Sequence, residues 1–160
     1  VAAERVRDIN PDCVCEAYEL FYAADTAARI QLETFDYIAD CIDTVTSKLL
    51  LIENAFRLGK PVLSCMGTGN RLDPLALRVR DVFQTQGCPL ARVMRRELRR
   101  RGIPALRTVC SAEEPLRPSG CVPDPETGRI PPGSVPFVPS AAGLVMAGEI
   151  LRALAGITRP

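Results

Sequence analysis

The sequence predicts an α/β fold built around a parallel sheet. Short apolar runs alternate with helix-period runs between residues 37 and 65. The last of these runs opens into a glycine-containing loop, Ser64-Cys-Met-Gly-Thr-Gly-Asn-Arg-Leu-Asp-Pro74. With 47% apolar residues in 160, the chain can fill one core. Strand and helix in alternation are what crossover connections in a parallel sheet require.

The elements follow in order. Residues 1–9 read as the middle and end of a helix with no cap residue before it, and Asn10-Pro11 ends it. Residues 14–21 alternate well enough for a strand, residues 24–32 read as helical, and residues 37–42 as a short buried strand. Thr44 is placed to cap a helix from Val45, whose Leu49, Leu50, Ile52, Ala55 and Phe56 keep a helical period. Gly59 suits its C′ position. Residues 61–65 form the next strand, and residues 77–83 alternate like a half-exposed one. Residues 89–101 form a helix with Pro89 in its first turn and a stripe of Leu90, Met94 and Leu98. Residues 107–110 make another strand. Residues 115–136, dense in proline and glycine, make a long irregular loop. Ser140 is placed to cap a closing core helix, where Gly143, Ala147 and Gly148 would permit close packing. Its apolar stretch, residues 141–157, is interrupted by Glu149 and Arg152 and falls short of a membrane span. The whole of 1–160 reads as one domain.

Composition narrows the chemistry. The net charge is +1, so any nucleic-acid surface must be local. The chain has no histidine, which excludes Ser-His-Asp and Cys-His catalysis within it. Its seven cysteines, Cys13, Cys15, Cys41, Cys65, Cys88, Cys110 and Cys121, are odd in number and form no CxxC pair. They read as free and mostly buried thiols in a reducing cytoplasm.

Three segments carry a resemblance. They are Tyr37-Ile-Ala-Asp-Cys-Ile-Asp-Thr44, the loop Met66-Gly-Thr-Gly-Asn-Arg-Leu-Asp-Pro74, and the run from Cys88-Pro-Leu-Ala-Arg92 to Ile103. Together they resemble the ThiF/MoeB/HesA superfamily, the bacterial relatives of ubiquitin-activating enzymes. The second and third, with Pro132-Gly-Ser-Val-Pro-Phe-Val-Pro-Ser140, resemble its tRNA threonylcarbamoyladenosine dehydratase branch. The resemblance implies a Rossmann-like, ThiF-type ATP-binding fold, with Mg²⁺ and ATP as cofactors, tRNA as partner and a homodimeric assembly. It also implies carboxylate activation by adenylation, followed by ring closure next to the anticodon. The family's glycine-rich phosphate loop and ribose-binding acid would precede Val1. The chain is therefore expected to be the C-terminal portion of the domain and inactive alone. Rival readings are an adenylyltransferase for a ubiquitin-like sulfur carrier, with a sulfur-relay protein as partner, and a non-catalytic dimerisation fragment. No membrane association is expected.

Candidate residues keep two readings each. The resemblance assigns Asp43 to Mg-ATP; otherwise it caps the helix from Val45. Asp40 either shares that site or is structural. Lys48 either reaches a phosphate or adenine or lies on the solvated surface. Gly67 and Gly69 allow close backbone approach to a ligand, or mark an ordinary turn. Arg71 and Asp73 orient the substrate or pair with each other, and Asn70 tolerates left-handed backbone. Arg92, Arg95, Arg96, Arg99 and Arg100 crowd one helix, where tRNA phosphates would relieve their mutual repulsion; a solvated face is the plain alternative. Cys88, at a helix start, and Cys110 are read as packing residues, since an internal cyclisation needs no thiol nucleophile.

Overall fold

The computed structural model describes residues 1–117, 119–126, 128 and 130–157. Helix α1 spans Ala2–Ile9 and buries no side chain. Strand β1 (Ile38–Asp40), helix α2 (Val45–Arg57) and strand β2 (Val62–Cys65) form a parallel β–α–β unit with Asp40 opposite Ser64. Strand β3 (Leu77–Asp81), helix α3 (Pro89–Arg100), strand β4 (Arg107–Ser111) and helix α4 (Phe137–Leu154) complete the order. The sheet runs β1-β2-β4-β3. Its first three strands are parallel, and β3 is antiparallel to β4 along the edge.

Two layers pack on this sheet. Leu49 and Ile52 of α2 and Ala91, Met94 and Leu98 of α3 form one cluster with Met66, Val82, Leu106 and Cys110. Ala142 and Met146 of α4 form another with Leu63, Leu77 and Val109 on the opposite face. Burial of such side chains contributes roughly 1.5–3 kcal/mol each. Helix α4, contrary to expectation, is long and apolar enough to cross a membrane by length and composition. It lies on the sheet instead, pinned where buried Glu149 accepts hydrogen bonds from Arg107 on β4 and from Arg152.

Several expectations are corrected. Residues 14–21 form no strand; they are mostly exposed and have no neighbouring strand to complete their backbone bonding. Residues 24–32 form no α-helix but lead through two 3₁₀ turns, Ala27–Arg29 and Leu32–Thr34. The third strand stops at Asp81, because the Asp81 carboxylate accepts from the Phe83 and Leu106 amides and turns the chain into a 3₁₀ turn. Thr44 occupies the N-cap position of α2 without a side-chain cap bond. Helix α4 starts at Phe137, so Ser140 lies inside it and its hydroxyl donates to the Pro136 carbonyl. It is core on one face only: Val138, Ala142 and Met146 are buried, whereas Leu144, Leu151 and Leu154 are exposed and Gly143 faces open space. Of the seven thiols, all free, Cys88 and Cys110 are buried, while Cys13, Cys41 and Cys121 are exposed. Gly59 does take the left-handed conformation that ends α2 (φ +64°).

Candidate functional site

The parallel strands β1 and β2 both end at the same edge, and their exits shape a cleft of about 400 Å³. This is the edge at which open α/β sheets bind ligands. One wall is Cys41, Ile42 and Asp43, leaving β1; another is the loop Met66-Gly-Thr-Gly69, leaving β2. Pro132, Gly133 and Ser134 close the far side, and Met146 of α4 contributes from below. A second cleft of about 500 Å³ lies between residues 22–33 and α2, away from the glycine loop, and its lining is mainly apolar.

Asp43, Gly67 and Gly69 are brought together in the first cleft. Asp43 is exposed, and its carboxylate is not the cap of α2; among the described residues it accepts only a long bond from the Thr44 hydroxyl, at 3.4 Å. A free carboxylate at a cleft mouth suits Mg²⁺ that is otherwise held by phosphate and water. Among the described residues no group of three acidic, cysteine or histidine side chains could hold a metal alone.

Gly67 and Gly69 do not use glycine's left-handed freedom; Asn70 does, at φ 57°. Gly69 is needed for room. A Cβ there would lie 2.8 Å from the Pro132 Cβ, whereas one at Gly67 would meet only Leu90, at 3.9 Å. Asn70 ties the two walls: its amide donates to the Gly133 carbonyl and its side-chain oxygen accepts from the Gly133 amide, both at 2.7 Å.

Asp40 and Lys48 are not at the cleft surface. Both are fully buried and form an ion pair, Lys48 Nζ to Asp40 Oδ2, at 2.8 Å. The ammonium also donates to the Ile42 carbonyl at 2.7 Å. The carboxylate accepts from the Ser64 hydroxyl at 2.5 Å and the Ile42 amide at 3.1 Å. Lys48 is thus neither a solvated side chain nor a lining residue. The pair clamps both backbone groups of Ile42, the residue before Asp43.

Arg71 and Asp73 do not pair. Arg71 is 2% exposed, and its Nε donates to the Gly67 carbonyl at 3.4 Å. Its Nη1 has no hydrogen-bond partner among the described residues. Asp73 instead accepts from the Leu75 amide, at 2.8 Å. The charge of Arg71 acts on Cys88, which caps α3 by accepting from the Ala91 amide. The adjacent Cys110 side chain, the α3 amides and Arg71 outweigh burial and bring the Cys88 thiol down to about 5, while the Cys110 thiol itself points to the Ser111 carbonyl at 3.5 Å. Cys110, beside Cys88 and itself desolvated, is pushed up.

The five arginines predicted on α3 divide. Arg95 turns inward to the Thr85 carbonyl (2.9 Å) and hydroxyl (2.5 Å), and Arg99 lies 5.0 Å over the Phe83 ring. Arg96 and Arg100 share Glu97, whose carboxyl is held down first by Arg101 and then by Arg96. Arg92, Arg96, Arg99 and Arg100 remain exposed, Arg99 while resting on Phe83. Sequence reasoning missed Cys41, Cys65, Thr68, Ser134 and Met146 as lining residues. The pairing of the two strand exits would have revealed Cys41 and Cys65; nothing local marks Ser134 or Met146.

Fold and cleft define an α/β protein whose ligand-sized cavity sits at the carboxyl edge of a parallel sheet. The chain belongs to the ThiF family, whose profile matches residues 1–160. It is 33% identical over 157 residues to the tRNA threonylcarbamoyladenosine dehydratase of Bacillus subtilis, covering 92% of this chain and 61% of that one. Dehydratase 2 of Saccharomyces cerevisiae is 39% identical over 113 residues, 69% of this chain and 25% of its own length. The solved structure of Escherichia coli tRNA N6-threonylcarbamoyladenosine dehydratase, TcdA, in complex with AMP superposes with a TM-score of 0.81 at 26% identity. That match covers 96% of this chain and 62% of TcdA, and a structure of TcdA in complex with ATP matches with a TM-score of 0.69. The chain therefore spans about three fifths of the length of these bacterial relatives.

Proposed function

We propose that the whole protein is an ATP-dependent tRNA threonylcarbamoyladenosine dehydratase and that this chain supplies its acidic and glycine-loop walls. The observation that carries the reading is the meeting of Asp43 with Gly67 and Gly69 in one cleft at the ends of β1 and β2. The relatives named above supply the substrate class. ATP would activate the threonyl carboxylate by adenylation, and the substrate's own nitrogen or oxygen would then close the ring. In this reading Asp43 holds Mg²⁺ against the phosphates. Gly69 lets the loop pass close to Pro132. The Asp40–Lys48 pair positions Asp43 through Ile42 rather than touching the nucleotide. Arg71 supports the loop at the Gly67 carbonyl, and Asp73 shapes its exit.

Among the described residues no cationic side chain lines the cleft, so in this reading positive charge for the phosphates would come from Mg²⁺ and from residues outside this lining. That is in keeping with an isolated chain that is inactive. Arg92, Arg96, Arg99 and Arg100 form the exposed track proposed for tRNA phosphates, with Arg95 held against Thr85. The exposed Leu144, Leu151 and Leu154 of α4 support a homodimer. A single domain over 1–160, a cytoplasmic location and a sulfur-relay partner rest on the sequence reading.

The test uses the whole protein with ATP, Mg²⁺ and tRNA carrying threonylcarbamoyladenosine. Formation of the cyclic base with one AMP per turnover is expected, and Asp43→Ala should abolish it without lowering the melting temperature. Undiminished turnover in that variant removes Asp43 from the site. AMP release that depends on a protein with a Gly-Gly tail instead of tRNA replaces the dehydratase reading with the sulfur-carrier one.

A further inference from the structure

Three sulfur-bearing side chains line the cleft, those of Cys41, Cys65 and Met146. Asp40 and Ser64 are opposite one another in the parallel pair β1–β2, and the next residue along each strand exit is a cysteine, Cys41 and Cys65. Successive side chains of an extended strand point to opposite faces. Asp40 points to α2, where it meets Lys48, so Cys41 points to the other face, toward α4. There its Sγ lies 3.9 Å from the Sδ of Met146. Cys65 packs against the cluster that contains Met146, and the parallel register that pairs Asp40 with Ser64 sets it beside Cys41. All three side chains line the cleft.

We propose that Cys41, Cys65 and Met146 form a binding site for a soft monovalent d¹⁰ cation, Cu(I). Two thiolates and a thioether are the donor set that selects Cu(I) over harder ions. A metal–sulfur bond of about 2.3 Å, the length found for zinc thiolates, puts the sulfurs of a trigonal S₃ set about 4.0 Å apart. The Cys41–Met146 separation already has that value, so this edge of the triangle needs no rearrangement. Zn²⁺ fits poorly: it asks for four ligands, thioethers are not among its usual ones, and the chain has no histidine to add. Cys41 is exposed, which gives the ion an entry path.

The step balances without a redox partner: one Cu(I) and two thiols give the bis-thiolate complex and two protons. Binding therefore tightens as pH rises, because metal and protons compete for the same sulfurs. If the cleft holds nucleotide, an occupied floor would exclude it; that consequence rests on the dehydratase reading, whereas the metal site does not.

The test is a titration of the whole protein with Cu(I) against the chromophoric chelator bathocuproine disulfonate, without ATP or tRNA, in a Cys13→Ser/Cys121→Ser background that removes the other exposed thiols. One Cu(I) per chain is expected, lost in Cys41→Ser and in Cys65→Ser, with weaker binding in Met146→Leu. Because Cys41 is exposed, its serine variant should fold, and it decides the question if the Cys65 variant does not. X-ray absorption should find three sulfur scatterers around the copper. Stoichiometric binding that survives in Cys41→Ser overturns the proposal, as does tighter binding of Zn²⁺ than of Cu(I). A two-sulfur shell unchanged by Met146→Leu removes Met146 from the site.

Discussion

Replacing Lys48 by Met tests whether the buried ion pair holds the acidic turn. The ammonium is fully buried, 2.8 Å from Asp40 Oδ2 and 2.7 Å from the Ile42 carbonyl. Lys48→Met keeps the volume and removes the charge, leaving the Asp40 carboxylate in the core with only the Ser64 hydroxyl and the Ile42 amide. An uncompensated buried charge of this kind costs about 3–5 kcal/mol. In a domain of this size that corresponds to a fall of roughly 6–20 °C in melting temperature. The assay is urea denaturation of the whole protein, followed by circular dichroism, on wild type, Lys48→Met, Asp40→Asn and the double variant. The double variant carries no unpaired charge, so it should lose less than either single one. A Lys48→Met variant within about 1 kcal/mol of wild type, on the scale of an exposed pair, would refute the assignment and return Lys48 to the surface or to the ligand.

Three further outcomes follow from the geometry. Gly69→Ala should weaken ATP binding at least tenfold, because its Cβ would meet Pro132 at 2.8 Å; Gly67→Ala should change it little, and equal effects in a calorimetric titration would contradict the steric argument. Cys88 has a folded value of about 5 against an unfolded value near 9, so the native state holds fewer protons between them. Its contribution is complete above about pH 9 and is lost as pH falls through about 5; Cys88→Ser should flatten the dependence of melting temperature on pH between 5.5 and 7.5. Arg96→Ala and Arg100→Ala should each lower the slope of log Kd for tRNA against log salt by about 1, as phosphate contacts do, while Arg95→Ala should also destabilise the fold through Thr85.

What was legible in the sequence was whatever local periodicity encodes. Helices α2 and α3 showed their buried faces at helical spacing, and β2 and β4 their apolar runs. The antiparallel edge strand β3 showed its alternation but not its direction, which depends on the partner it meets. Residues 14–21 alternated as well and formed nothing, because a strand is completed by its neighbour. At the site, Asp43 and the glycine loop were legible because both leave strand ends. Lys48 was not: eight residues separate it from Asp40, and only the packing of α2 on β1 shows that the two are bonded. Arg71 looked like a partner for Asp73 two residues away, yet its side chain turns inward while Asp73 bonds its own turn.

The link between Asn70 and Gly133 has a bearing on how the protein folds. It joins positions 63 residues apart, so forming it closes a loop whose entropy costs about 4 kcal/mol before any contact is gained. The β1–α2–β2 unit closes over a far shorter stretch of chain. The floor and acidic wall of the cleft should therefore order first and its far wall last, so conservative substitutions at Asn70 should speed unfolding while leaving the refolding rate nearly unchanged.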